Sequence, residues 1–155
     1  MREDYYFGGN EQMTANEYEL TKISNDLYLI YHGVRDCCIH SVYSEQLEDE
    51  EFMEKIEKDV KFYKLKYLIN DYGDEVYKEL FFYKYDHQRV MYMISESVRG
   101  QSDVGVYVSK YITGKLLGYS NQDMEEFLER VHHSSDIMKK VEEEIKKWKE
   151  KSTNA

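Results

Sequence analysis

Residues 37–63 read CCIHSVYSEQLEDEEFMEKIEKDVKFY, and the change of pattern at Ser44 within this stretch decides the fold class. Residues 37–43 are a short run of β-branched, aromatic and sulfur-containing side chains, which is typical of a strand. From Ser44 onward the apolar residues recur three and four positions apart, with charged residues between them. The apolar stripe consists of Leu47, Phe52, Ile56, Val60 and Tyr63. The stretch therefore predicts a strand that leads directly into an amphipathic helix.

The residues before this stretch are also predicted to form strands. Between positions 17 and 43, short apolar and aromatic runs are bounded by Ser24-Asn25-Asp26 and by His32-Gly33. This pattern is typical of a meander of antiparallel hairpins. A helix that starts at Thr14 is the competing interpretation, because Thr14 and Glu17 have the spacing of a capping box. We favour the strands.

The residues after Tyr63 predict one more strand and then only helices. A turn at 70–74 precedes a strand over 76–85, and a short helix around 90–98 is closed by Gly100. Helices are expected over 104–117, from Ser120 and from Ser135. Because strands come early and helices late, the sequence predicts a single α+β domain over 1–155. It has an N-terminal antiparallel sheet with a backing helix, followed by a C-terminal helical group.

Composition excludes several classes of protein. The chain has 155 residues, of which 41% are hydrophobic, so it is too apolar for an intrinsically disordered protein. No apolar run approaches the roughly 18 residues of a membrane helix, and the first residues lack the apolar stretch of a signal peptide. The two cysteines, Cys37 and Cys38, are adjacent and form no disulfide framework. These features predict a cytoplasmic protein.

The net charge points to a basic partner. With 21 Lys and Arg against 31 Asp and Glu, the chain carries −10 and is expected to repel nucleic acid phosphates. A basic protein surface, or the basic nucleic-acid groove of another protein, would be attracted instead. The predicted partner-binding residues lie on two acidic helix faces and are Glu48, Glu51, Glu125, Glu126 and Glu129.

Residues 111–131, YITGKLLGYSNQDMEEFLERV, fit the template of a helix-turn-helix. Gly114 allows close packing of the two helices, Gly118 makes the turn and Ser120 caps the second helix. Asn121 and Gln122 could contact adenine edges, but four acids of the second helix would meet phosphates, with one arginine to offset them. DNA binding by a regulator of transcription or replication is therefore an alternative and not the preferred function.

The segments GKLLGYSNQDMEEFL at 114–128, FFYKYDHQ at 81–88 and YHGVRD at 31–36 resemble parts of small uncharacterised phage and mobile-element proteins of low-GC Gram-positive bacteria. The resemblance implies no activity and assigns no residue a role. It implies a context, since small acidic phage proteins of this kind often bind and block a host protein, as anti-CRISPR proteins do.

Two patterns contain metal-ligating residue types. His32, Cys37, Cys38 and His40 offer groups that zinc accepts, and on a strand Cys38 and His40 point to the same face. Their spacing matches no standard zinc module, so ordinary buried thiols are the preferred interpretation. Glu129 and His132 form half of a carboxylate-bridged metal motif, of which the chain has one copy.

Cys37 or Cys38 could act as a nucleophile with His40 as its base. The sequence shows no third residue that would orient the histidine, as such a catalytic site requires. The sequence therefore predicts no catalytic residue, no metal and no cofactor. A metal-dependent enzyme is retained as a further alternative. The preferred function is that of a non-enzymatic phage or mobile-element protein that binds and inhibits a host protein, such as a defence nuclease, through its acidic surface.

Overall fold

The computed structural model describes residues 4–7, 11–71, 74–130 and 135–154. The chain divides into two compact units, which comprise residues 1–84 (unit 1) and 85–155 (unit 2). Each unit has a hydrophobic core of its own. The α+β class predicted from the sequence is confirmed, whereas the single domain over 1–155 stays a prediction.

Unit 1 contains a two-stranded and a three-stranded antiparallel sheet. Strands β1 and β2 pair with each other, and the second sheet has the order β3-β5-β4. In that sheet Phe82 of the central strand lies opposite Cys38 on one side and Tyr67 on the other. The elements of unit 1 are β1 (Asp4–Phe7), β2 (Glu11–Thr14), α1 (Ala15–Tyr31), β3 (Cys38–Tyr43), α2 (Ser44–Glu48), α3 (Glu50–Phe62), β4 (Lys66–Asn70) and β5 (Tyr77–Tyr83).

The strand meander predicted over 17–43 is wrong up to Tyr31, because this part of the chain forms helix α1. The Thr14 side chain caps the helix by accepting a hydrogen bond from the Glu17 backbone N–H at 3.1 Å. Three buried residues, Ile23, Leu27 and Ile30, follow one another at helical spacing and face the core. Burial of this stripe outweighs the preference of the neighbouring aromatic residues for strands. The strand predicted at the end of the segment is confirmed as β3.

The predicted backing helix forms, with a break at Asp49. The Asp49 carboxylate accepts hydrogen bonds from the backbone N–H groups of Glu51 at 3.0 Å and Phe52 at 3.2 Å, and so starts α3 anew after the short α2. Helices α1 and α3 bury their apolar stripes against Leu80 and Phe82 of the sheet. The core of unit 1 therefore lies between two helices and one face of the three-stranded sheet.

Several chain segments meet at one end of this sheet. Strands β3 and β4 end there and β5 begins there, since Tyr43 pairs with Tyr77 and Asn70 pairs with Glu79. The start of α1 lies beside the start of α3, because Asn16 Nδ2 donates to Asp49 Oδ2 at 3.0 Å. Three helix N-termini and the β4–β5 turn therefore share this end of unit 1.

Unit 2 is helical, as the sequence predicts. Its helices are α4 (Asp86–Arg99), α5 (Asp103–Leu116), α6 (Asn121–Arg130) and α7 (Ser135–Asn154). Their shared core consists of Val108, Tyr111, Ile112, Met124, Val141 and Ile145. None of the helices in the described ranges combines the length and the apolar character that crossing a membrane requires.

The predicted helix-turn-helix hairpin is formed by α5 and α6. Gly118 adopts a φ of +94°, and Ser120 caps α6 by accepting from the Asp123 N–H at 3.1 Å. A Cβ atom at Gly114 would collide with the Met124 side chain, so the two helices approach each other as the sequence predicts.

Candidate functional site

The end of unit 1 where β3 passes into α2 concentrates acidic side chains. Residues 45–54 contain six acidic residues and no basic residue. The β4–β5 turn lies against them, because Ser44 N and Ser44 Oγ donate to the carbonyl oxygens of Val76 and Glu75, each at 2.8 Å. We call the following side chains the acidic end: Glu45, Glu48, Glu51, Asp71, Asp74 and Glu75.

Two apolar side chains are exposed within the acidic end. Val76 is 54% exposed and Tyr77 is 42% exposed. The Tyr77 ring stacks on the Tyr43 ring, with centroids 5.1 Å apart. The backbone N–H groups of Val76 and Tyr77 both donate to Asp74 Oδ1, at 2.8 and 3.0 Å. The turn thus presents a tyrosine of fixed orientation, which is a common anchor in protein interfaces.

The electrostatics of this surface are negative. The N–H groups of Tyr77 and Val76 hold the pKa of Asp74 below its ordinary value, so this carboxylate stays charged. Lys78 lies close by, but its side chain is only 17% exposed and its Nζ is 2.7 Å from Asp71 Oδ1. Its charge is directed inward to the turn, whereas Lys55, 3.6 Å from Glu51, is exposed beside the acidic end.

The structure places the five predicted partner-binding glutamates in two groups. Glu48 and Glu51 belong to the acidic end of unit 1, and both are exposed. The second group, Glu125, Glu126 and Glu129, lies on α6 of unit 2, with Glu125 and Glu129 exposed and Glu126 partly buried. The prediction of two acidic faces is thus consistent with the positions of these residues, but the five do not form one site.

The charge of the α6 face is partly compensated. Glu126 Oε2 lies 3.6 Å from Arg130. Glu126 also borders a groove between α5 and α6 that Arg99 and Lys110 line as well. The acidic end also has ion pairs, since Lys55 Nζ lies 3.6 Å from Glu51 Oε1 and Lys78 Nζ lies 2.7 Å from Asp71 Oδ1. The exposed Val76 and Tyr77, rather than a lack of basic groups, make the acidic end the candidate site.

Sequence reasoning missed the contribution of the β4–β5 turn. The acidic turn at 70–74 is visible in the sequence, and so is the acidic start of the helix that follows Tyr43. That they adjoin follows only from the pairing of β3 with β5, which joins residues more than thirty positions apart. Val76 and Tyr77 had no local signal that would set them apart from other strand residues.

The two cysteines are buried, and no disulfide joins them. Burial raises the pKa of the Cys37 thiol to about 12 and raises the pKa of the Cys38 thiol still further. A thiol that stays protonated at neutral pH is a poor nucleophile, so burial lowers the reactivity of both cysteines in the metal-free chain. The other metal-type pair from the sequence includes His132, which lies outside the described residues.

We expect alkylation of both cysteines by iodoacetamide at pH 8 to be slower in the folded protein than in urea, by more than about 100-fold. Both burial and the raised pKa values suppress the reactive thiolate. Mass spectrometry of protein freed of metal with a chelator measures the two rates. Rapid modification of either cysteine in the metal-free folded chain would contradict the low reactivity that burial predicts.

Comparisons of this chain with protein-family models, with curated proteins and with solved structures gave no match. The resemblance to phage and mobile-element proteins therefore remains a prediction from the sequence.

Proposed function

We propose that this protein is a non-enzymatic binding protein that recognises a basic protein surface through the acidic end of unit 1 and inhibits the protein that it binds. The observation that carries the proposal is the exposed pair Val76 and Tyr77, which follows directly on Asp74 and Glu75 and lies at the end of the sheet where the acidic α2 begins. The proposal includes a phage or mobile-element origin and a cytoplasmic location, the latter supported by two adjacent cysteines that no disulfide joins.

The arrangement has the anatomy of a protein interface. Interfaces combine a small apolar or aromatic centre with a polar rim, and tyrosine is among the residues enriched at their centres. Tyr77 is held by its stacking on Tyr43 and by the backbone hydrogen bonds to Asp74. A partner would therefore lose little conformational freedom of this side chain on binding.

The negative charge of the acidic end favours partners with a basic surface. Carboxylates on a protein of net charge −10 attract surfaces rich in Lys and Arg and accelerate association with them. The grooves in which nucleases and other nucleic acid enzymes hold phosphates are surfaces of this kind. Occupation of such a groove by the acidic end would exclude the nucleic acid, which is how binding alone would inhibit the enzyme.

Charge reversal at the acidic end tests the proposal. A partner captured from host lysate is purified, and its affinity is measured by calorimetry for the wild type and for E45K/E48K/E75K. We expect the affinity of the variant to fall by about tenfold or more, because attractive contacts become repulsive. Tyr77→Ala is expected to reduce affinity by about 30-fold, as for a central anchor.

The matched controls carry the same changes elsewhere. E125K/E126K/E129K alters net charge equally but on α6, and Tyr119→Ala removes an exposed tyrosine of unit 2. Both controls should bind within about threefold of the wild type. Equal losses for the two triple variants, or unchanged binding of E45K/E48K/E75K, would contradict recognition by the acidic end. An unrelated basic protein serves as the reference for attraction to any polycation.

A further inference from the structure

Three metal-ligating side chains meet inside unit 1. Asp26 of α1 and Cys38 and His40 of β3 place a carboxylate oxygen, a thiol sulfur and an imidazole nitrogen within 4.8 Å of one another. Cys38 is 1% exposed and His40 is 8% exposed. The side chains come from a helix and a strand, so the fold itself assembles the cluster.

The contact between His40 and Asp26 is close but poorly aligned. His40 Nε2 lies 2.8 Å from Asp26 Oδ2, yet the direction of the ring nitrogen does not meet the geometry of a hydrogen bond. In a tetrahedral site with bonds of about 2.0–2.1 Å, nitrogen and oxygen ligands stand about 3.3 Å apart. If His40 Nε2 and Asp26 Oδ2 moved slightly apart, both atoms could bind the same cation.

A second buried polar atom, on helix α1, is also unsatisfied. Glu19 lies on the same face of α1 as Asp26, seven residues earlier, and its Oε2 is buried with no hydrogen-bond partner in the part of the chain that the structure describes. Buried carboxylate oxygens are costly unless a donor or a cation satisfies them. The other oxygen of Glu19, Oε1, lies 3.5 Å from Lys22 Nζ, so one of the two carboxylate oxygens is left without a donor.

The donor set favours zinc over magnesium and calcium. Sulfur, nitrogen and carboxylate oxygen together are the ligands of Zn²⁺, whereas Mg²⁺ and Ca²⁺ prefer oxygen alone. Arg35 Nη1 lies 3.5 Å from Asp26 Oδ1, on the carboxylate oxygen that does not face His40, and so orients the ligand from outside. The Asp26 side chain is 21% exposed, which provides a path from solvent.

We propose that Asp26, Cys38 and His40 bind one zinc ion, with the fourth position open to water. Binding takes the Cys38 side chain as thiolate, and its proton passes to the solvent. The ion would join α1 to β3, an edge strand of the sheet, and would stabilise unit 1. This site is independent of the acidic end and of the function proposed for it.

Cobalt and zinc titrations of the full chain, freed of metal by a chelator, test this site. We expect one Co²⁺ per chain and an intense thiolate-to-cobalt absorption band that one equivalent of Zn²⁺ abolishes. Cys38→Ser should remove that band and lower zinc affinity by more than about 100-fold, since loss of a direct ligand should exceed the 10–100-fold typical of outer partners.

The adjacent Cys37 provides the matched control. Cys37 is buried like Cys38 but is not part of the cluster, so Cys37→Ser should retain the band and the affinity. Asp26→Asn, at a partly exposed position, should weaken zinc binding while circular dichroism shows a folded chain. The proposal is overturned if the wild type binds no stoichiometric metal, or if Cys37→Ser and Cys38→Ser bind zinc equally well.

Discussion

Replacing Phe82 with alanine is expected to lower the free energy of unfolding of unit 1 by about 3–5 kcal/mol. Phe82 has no exposed surface and lies on the central strand β5. Its ring is within 6.1 Å of the His40 ring and 6.0 Å of the Tyr67 ring, measured between centroids. The substitution leaves a cavity, and β5 cannot easily move to close it because hydrogen bonds hold it between β3 and β4.

Urea unfolding followed by far-ultraviolet circular dichroism measures this change, and hydrogen exchange of peptides from β3 and β5 locates it. Phe62→Ala is the matched control, because Phe62 is 74% exposed. Its cost should be below about 0.5 kcal/mol. Similar losses for the two variants would show that Phe82 is not a central residue of this core.

Replacing Gly105 with alanine is expected to destabilise unit 2 by about 3 kcal/mol or more. A Cβ atom at this position would overlap the backbone carbonyl oxygen of Val98, and a backbone atom cannot turn aside as a side chain can. Helices α4 and α5 would have to separate. Their contact includes Ser95 Oγ, which lies 2.8 Å from Ser109 Oγ and 2.7 Å from Thr113 Oγ1.

Alanine substitutions at two other glycines serve as comparisons for Gly105→Ala. Gly100→Ala should be nearly neutral, since no atom lies near the new methyl group and the backbone there has a φ of −89°. Gly114→Ala should fall between the two, because it meets the flexible end of the Met124 side chain. Fluorescence of Trp148, the only tryptophan, follows the unfolding of unit 2 in urea. Equal stability of Gly105→Ala and Gly100→Ala would contradict the close helix contact.

The helical half of the protein could be predicted because its signals are local. Ser120 with Asp123, Gly118 and the stripe of Val141 and Ile145 each act within a few residues of the chain. The sequence predicts strands in place of helix α1, although Thr14 and Glu17 have the spacing of a capping box, because the aromatic residues of this segment favour strands. Strand β4 was also missed, since a five-residue edge strand is defined mainly by its partner.

The candidate sites also combine residues that local sequence signals indicate with residues that only the tertiary fold brings together. Glu48 and Glu51 could be selected from charge alone, whereas their neighbours in the β4–β5 turn depend on strand pairing. The sequence predicts Asp26 in a turn between two strands, which gives no indication that it approaches Cys38 and His40. In a helix it shares a face with Ile23 and Ile30, and that face is the one that packs on the sheet.

The strand order β3-β5-β4 has a consequence for how the chain is made. The central strand β5 is the last of the three to leave the ribosome, so β3 and β4 have no partner in this sheet until residues 77–83 are synthesised. A chain truncated before Tyr77 would carry two strands with unpaired backbone groups, a state prone to association with other chains. Unit 1 therefore completes its three-stranded sheet only after β5, which lies at its C-terminal end, has left the ribosome.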